Sequence, residues 1–253
     1  KLVPDQIMDR LFDNDYGRAE AGVGREIECA ILFLDIRKFT SMAAQMDARD
    51  TFRFLTSFMS ELTPVITSHR GFVDKYLGDG IMAIFDAADT FAQDAIDCGT
   101  ALIRSVDAHN TTHRSDALPD HRKGKDSRVH IEVGIGINYG QVMLGAIGTT
   151  NRLEFTVLGD AVNTASRIQD LTKYFRVPMI CHEEIIHRRK FEDEARSIGS
   201  VHVRGKPEPL RLYEIFSHDS DAIREAKLSY QPEFEALTAL LDDPKKITEE
   251  VCQ

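Results

Sequence analysis

Hydrophobic positions along the chain switch between two periods, and each switch marks an element. Residues 28–34 form an almost wholly apolar run of strand length, and Asp35 interrupts its end. After Phe39, Thr40 and Ser41 the apolar positions fall at mixed spacings of three and four, through Phe52, Leu55, Phe58, Met59, Leu62, Val65 and Ile66. This predicts a long helix, with Thr40 or Ser41 as its cap. Residues 72–76 and 81–85 read as two short strands joined through Leu77, Gly78, Asp79 and Gly80, a tight hairpin turn with an acid at its tip. A second helix follows over 90–109, then a polar exposed loop over 110–128. Residues 129–138 and 141–148 predict a second hairpin turning at Tyr139 and Gly140.

The segment 155–160 opens a helix over 161–171, followed by a strand over 177–181, a short helix over 182–190 and a last hairpin of 200–203 with 210–216. Residues 1–27 are polar and mixed and read as an N-terminal connector; residues 217–253, charged with helical spacing, read as an appended C-terminal helical tail. The order of strands and helices predicts one α+β domain over 28–216, with helices packed on an antiparallel sheet.

Composition narrows the classes. The 253 residues are 42% apolar and 28% charged, enough for one substantial core. A formal net charge of −10 argues against a nucleic-acid surface and against a polybasic membrane patch. No apolar run approaches the roughly 18 residues of a membrane span, and the first residues do not read as a signal peptide. Because the chain begins with Lys1, it is expected to be a fragment of something longer. Cys29, Cys98, Cys181 and Cys252 are far apart and form no CxxC pair, so they read as reduced thiols in a cytoplasmic setting.

Asp35 and Asp79 carry the first chemical signal. On neighbouring strands of one small sheet, two carboxylates would meet at the sheet edge and repel unless a cation lay between them, which predicts a hard divalent ion, Mg²⁺ or Mn²⁺. Two such ions could hold a nucleotide triphosphate and activate an attacking hydroxyl. Plainer readings stand beside this: Asp79 in water at an ordinary turn, Asp35 capping the next helix. No GxxxxGK[ST] stretch is present, so a P-loop is not the phosphate site.

Four separated stretches, in order, resemble the class III nucleotidyl cyclases: Phe33 through Thr40, Lys75 through Phe85, Gly134 through Gly140, and Phe155 through Arg167. The resemblance runs from about Glu28 to Phe216, most of the chain, and implies a ferredoxin-like or palm-type antiparallel sheet with packed helices. It further implies Asp35 and Asp79 as metal carboxylates with the Ile36 carbonyl as a third ligand, and two Mg²⁺ or Mn²⁺ ions per site. The amides from Ile36 to Thr40, including those of Phe39 and Thr40, would suit the triphosphate. Lys75 and Thr156 match the purine-reading pair, and this pairing points to ATP where guanylyl cyclases typically place Glu and Cys. Asn163 and Arg167, four apart on one helix face, match the residues that orient the ribose and stabilise the transition-state charge. Arg204 falls where the family often has a lysine for the terminal phosphate, with Lys206 as a nearby substitute. Gln141 departs from a phosphate-binding Arg in some mammalian relatives.

The implied function is an adenylyl cyclase that makes cyclic AMP and pyrophosphate. Since one chain holds both halves of the family's shared site, a head-to-tail homodimer is implied, with an upstream sensory or regulatory domain in a parent protein that can be membrane-attached. A guanylyl cyclase and a catalytically silent nucleotide-binding module are the alternatives.

Overall fold

A computed structural model of the chain describes residues 21–112, 130–149, 152–189, 194–203 and 206–242. In chain order the elements are β1 (Gly24–Ile36), α1 (Phe39–Ala43), α2 (Ala48–Ser68), β2 (Phe72–Leu77), β3 (Gly80–Phe85) and α3 (Phe91–Thr112). They continue as β4 (Val133–Thr149), β5 (Arg152–Leu158), α4 (Asp160–Phe175), β6 (Met179–His182), α5 (Glu183–Arg188), β7 (Ala195–Val201), β8 (Leu210–Ile215), α6 (Asp221–Ser229) and α7 (Gln231–Asp242). The strands form one sheet in the order β2-β3-β1-β4-β6-β8-β7, with β5 paired to β4 off this path. Every pairing is antiparallel except β4 with β6. The α+β class and the antiparallel sheet with packed helices read from the sequence are therefore what is found.

Alternation along β1 divides the interior. Leu32 and Leu34 join Ile81, Ala83 and Phe85 under α2 and α3, which contribute Phe58, Leu62, Ile96 and Leu102. Ile31, one residue earlier, belongs to the opposite face with Phe72, Met82, Ile84, Val142, Leu144, Phe155 and Val157. Each such side chain contributes about 1.5–3 kcal/mol when fully buried. Because one strand feeds both clusters, β1 reads as an apolar run with no polar alternation.

The long helix predicted after Ser41 is split. Thr40 and Ser41 lie inside the short α1, and α2 starts afresh at Asp47, whose side chain accepts from the Asp50 amide at 2.8 Å. Neither Thr40 nor Ser41 caps α2; an N-cap carboxylate does.

The second predicted hairpin is also absent. Residues 133–149 form one continuous strand through Tyr139 and Gly140, registered against β1 from Gly24↔Gly145 to Ile36↔Val133. Gly140 marks a close approach and not a turn, because a Cβ there would sit 2.5 Å from Ala161 Cβ of α4. Gly136 is tighter still: its added Cβ would overlap Gln169 N and lie 2.8 Å from Ala165 O. The partner of β4's far end is β5, with Met143↔Leu158 and Gly145↔Thr156. β1 begins four residues before position 28, within the segment read as connector, whose residues 1–20 lie outside the described residues. The last hairpin is β7 with β8, and β7 starts at Ala195, earlier than expected. Beyond Thr112, the predicted loop lies outside the described residues, as does the tail beyond Asp242.

The tail, where described, packs on the far edge of the sheet. Glu214 of β8 is fully buried and is met by Arg196 at 2.7 Å and by Lys227 of α6 at 2.6 Å. Phe234 of α7 lies under the Arg196 guanidinium, 4.1 Å from ring centroid to Cζ. Cys29, Cys98 and Cys181 are buried and outside any disulfide; Cys252 lies outside the described residues.

Gly136→Ala should cost about 3 kcal/mol or more, because the atoms it meets are main chain and cannot swing aside. Asp47→Ala should cost only about 1 kcal/mol, the usual value of an N-cap. Urea unfolding of both variants measures this; equal losses would mean that α4 does not sit against β4 as described.

Candidate active site

Asp35 stands near the end of β1, beside the β2–β3 turn. That turn closes with Leu77 opposite Gly80, and of its two central residues only Gly78 takes a left-handed φ, +66°. This is the pattern of a type II′ turn, which asks for glycine at its first central position and leaves Asp79 in ordinary backbone. Register puts Leu34 opposite Ile81, so the two acids are neighbours across β1 and β3. Burial pushes the Asp35 carboxyl up to about 6, with the charge of Asp79 and a hydrogen bond between the two side chains adding to it. Lys173 of α4 opposes the shift weakly. Two acids pressed together in this way, with oxygen donors only, fit a hard divalent cation.

Among the described residues no cluster of three His, Cys, Asp or Glu side chains converges on one point. A cation here would therefore need oxygen from the main chain or from a ligand. The plain alternative for Asp35 does not hold, since the N-cap of α1 is Lys38, with no side-chain cap bond.

Ile36 is buried and pairs with Val133 at the end of β1. Beyond it the chain turns through Arg37 and Lys38 into α1, with Lys38 held at φ +57°, an uncommon region for a side chain with a Cβ. Phe39 is half-buried against the core and Thr40 is exposed. The Arg37 guanidinium donates from Nη2 to Thr172 O at 3.1 Å and Val177 O at 2.6 Å, fastening this loop to the carbonyl end of α4.

Lys75 and Thr156 come together in the folded chain. They line one cavity of about 320 Å³ with Ile147, Gly148, Glu154 and Leu158. Lys75 Nζ lies 3.3 Å from Glu154 Oε1 and 3.5 Å from Asp74 Oδ2. The Thr156 hydroxyl donates to Asp74 Oδ2 at 2.9 Å. Asp74 is the residue that sequence reading missed. Adjacent strand residues should face opposite ways, yet a bulge between Val73 and Lys75 turns both Asp74 and Lys75 toward β5. The available signal was an acid and a base side by side in a strand packed on both faces.

Asn163 and Arg167 lie one turn apart on α4; Asn163 is exposed and Arg167 half-buried, while Thr164, Ala165 and Ile168 anchor the helix. Asp170 pairs with Lys173 at 2.7 Å. Lys206 is ion-paired with Asp160 at the start of α4, and Arg204 lies outside the described residues. Gln141 is exposed and donates to Glu28 Oε1 at 3.4 Å.

A second cavity, of about 890 Å³, is lined by Asp35, Ile36, Lys38 and Lys173 among others, and shares no lining residue with the Lys75–Thr156 cavity. One copy of the chain thus presents the Asp35–Asp79 edge and the Lys75–Thr156 cavity as separate features.

Known proteins resemble this chain in sequence and in fold. The chain is 34% identical over 218 residues to an adenylate cyclase of Anabaena cylindrica, covering 85% of this chain and 42% of that protein. It is 34% identical over 237 residues to the terminal-differentiation-specific adenylate cyclase of Dictyostelium discoideum, covering 92% of this chain and 11% of that protein. It spans well under half the length of either relative. Among solved structures, a bacterial light-regulated adenylyl cyclase matches with TM-score 0.71 and 22% identity, over 91% of this chain and 63% of that one. The guanylyl cyclase Cya2 matches with TM-score 0.61 and 24% identity, over 76% and 93%. Those structures speak to the fold. The family model described as the adenylate and guanylate cyclase catalytic domain matches residues 23–217, most of the chain. By sequence match and by fold, the chain belongs to the adenylate and guanylate cyclase catalytic domain family.

Proposed function

We propose that this chain is an adenylyl cyclase catalytic domain that converts ATP to 3′,5′-cyclic AMP and pyrophosphate, at a site completed by a second copy of itself. The observation that carries this reading is the meeting of Lys75 and Thr156 in one cavity. An ammonium group donates to N1 of adenine, an acceptor, and a hydroxyl oxygen can accept from the 6-amino group. Guanine reverses both, offering a donor at N1 and an acceptor at position 6. The curated relatives named adenylate cyclase support the same choice.

Asp35, Asp79 and the Ile36 carbonyl would hold Mg²⁺ or Mn²⁺, two ions per site. Bound there, the metal supplies neutralisation of triphosphate charge and a lowered proton affinity for the ribose 3′-hydroxyl. Phe39 and Thr40 offer main-chain amides to the phosphates. Asn163 orients the ribose, and Arg167 meets charge gained by the α-phosphate as the 3′-oxygen attacks and pyrophosphate leaves. The terminal phosphate falls to Arg204 or Lys206. A triphosphate would compete with Asp160 for Lys206, its present ion-pair partner.

The second copy follows from the separation of the two cavities. The face beside the Lys75–Thr156 cavity also carries exposed apolar side chains, with Met143 opposite Leu158 on paired strands and Ile147 nearby. Such a patch suits a partner that brings a metal edge over it in head-to-tail fashion. Among the described residues no helix is long and apolar enough to cross a membrane. An upstream sensory or regulatory segment accords with relatives that are much longer than this chain.

Incubated with ATP and Mn²⁺, the chain should release cyclic AMP, and Asp79→Ala and Arg167→Ala should each lower turnover by about 100-fold or more. Retained activity in Asp79→Ala removes the metal assignment. Mn²⁺ should raise the melting temperature of the wild type and not of Asp35→Asn. With the Asp35 carboxyl raised to about 6, a proton competes for the same oxygens below that pH, so the Mn²⁺ shift should shrink as pH falls through 6. Dilution should lower specific activity in step with dissociation seen by sedimentation; activity that stays constant in a proven monomer contradicts the shared site.

A further inference from the structure

Asp74 has no part in the function as stated so far, yet it is the most completely enclosed carboxylate beside the purine cavity. Its side chain is 0% exposed, while that of Lys75 is 30% exposed. One oxygen, Oδ2, accepts from Thr156 at 2.9 Å and faces Lys75 at 3.5 Å; the other, Oδ1, is buried with no hydrogen-bond partner. A buried, half-satisfied acid is costly, and a strand position between β3 and the arm of β5 has no structural need of one. The bulge that turns Asp74 toward β5 interrupts the ladder with β3 as a further cost. Two local penalties at one residue, beside the pair that reads the base, mark a functional position.

The chemistry follows from the ambiguity of a hydroxyl. Thr156 can either donate to a base or accept from it, so unaided it would tolerate both the 6-amino group of adenine and the 6-oxo group of guanine. A carboxylate has no hydrogen to give. We propose that Asp74 is a positioning residue for purine choice: by taking the Thr156 hydroxyl hydrogen, it leaves the Thr156 oxygen able to face the nucleotide only as an acceptor. The same oxygen of Asp74 steadies the Lys75 ammonium, so one carboxylate sets both halves of the adenine pattern, acceptor at Thr156 and donor at Lys75. Burial raises the Asp74 carboxyl, but Lys75, the Thr156 hydroxyl and the Val157 main-chain N–H all favour its charged form. Glu154 cannot replace it, being paired with Lys75 from the open side with its side chain 63% exposed.

This inference rests on the reading of Lys75 and Thr156 as the adenine pair, and one set of measurements separates the two. Turnover is compared for ATP, for GTP and for purine riboside triphosphate, which keeps the N1 acceptor and lacks only the 6-amino group. Wild type, Thr156→Val, Asp74→Val and Asp74→Ala are assayed, with Asp74→Glu as the conservative variant. In the wild type kcat/KM should favour ATP by about 10-fold or more, the worth of one hydrogen bond in a closed site. Thr156→Val should erase that ratio, whereas Asp74→Val and Asp74→Ala should keep most of it and instead raise turnover of GTP relative to ATP by about 10-fold, a gain that Asp74→Glu should partly reverse. A wild type with no preference for ATP removes the adenine reading itself. A preference that Thr156→Val abolishes, with a GTP-to-ATP ratio that the Asp74 variants leave as in the wild type, removes the role of Asp74 alone. An equal loss toward ATP and GTP shows Asp74 to be merely structural. If Asp74→Val does not fold, Asp74→Ala, which leaves room for water, decides the matter.

Discussion

The pairing of β1 with β4 is the constraint on which the rest depends. It runs unbroken from Gly24 opposite Gly145 to Ile36 opposite Val133, and both candidate clusters hang from its ends. At one end β1 delivers Asp35 to the turn that carries Asp79. At the other, β4 overshoots the sheet and folds back with β5, which brings Thr156 over β2. Neither delivery works if α4 cannot lie close to β4, and Gly136 and Gly140 provide that clearance where any side chain would strike the helix. Shifting this register by one residue would invert every side chain on β1 and exchange the two cores.

The two clusters answer different electrostatic problems. At Asp35 and Asp79 like charges are pressed together and the imbalance calls for a cation from outside. At Asp74, Lys75, Thr156 and Glu154 the charges are already answered within the chain, by Lys75 between two carboxylates. The first cluster is incomplete alone and the second is set in advance, as expected of groups that gather metal and groups that discriminate between bases.

How much of this could be read beforehand depended on whether the signal was local. The β2–β3 hairpin was legible because Gly78 and the apolar runs around it answer to turn chemistry and alternation. The meeting of Asp35 and Asp79 followed from placing two strands side by side. The single strand β4 was misread because Tyr139 and Gly140 look like a turn when the helix that presses on Gly140 is out of view, 21 residues away at Ala161. Asp47 was passed over as a cap because Thr40 and Ser41 stood earlier with the same chemistry. Asp74 was invisible for a sharper reason: its orientation arises from a bulge, and nothing in the alternation of β2 marks where that bulge falls. Lys75, Thr156, Asn163 and Arg167 were named through family resemblance; spacing alone placed only Asn163 and Arg167 on a common face.

The Arg37 contact carries a mechanical meaning. Its guanidinium joins the loop after Asp35 to the carbonyl end of α4, and α4 also bears Asn163 and Arg167. In a head-to-tail pair those two regions serve different sites: the loop works in one and the helix face in the other. A helix that shifts as one nucleotide closes would pull, through Arg37, on the metal loop of the opposite site. Each half of such a pair would sense the occupancy of the other through a rigid lever inside its own chain, so the two sites would turn over out of step or in concert, and not as independent neighbours.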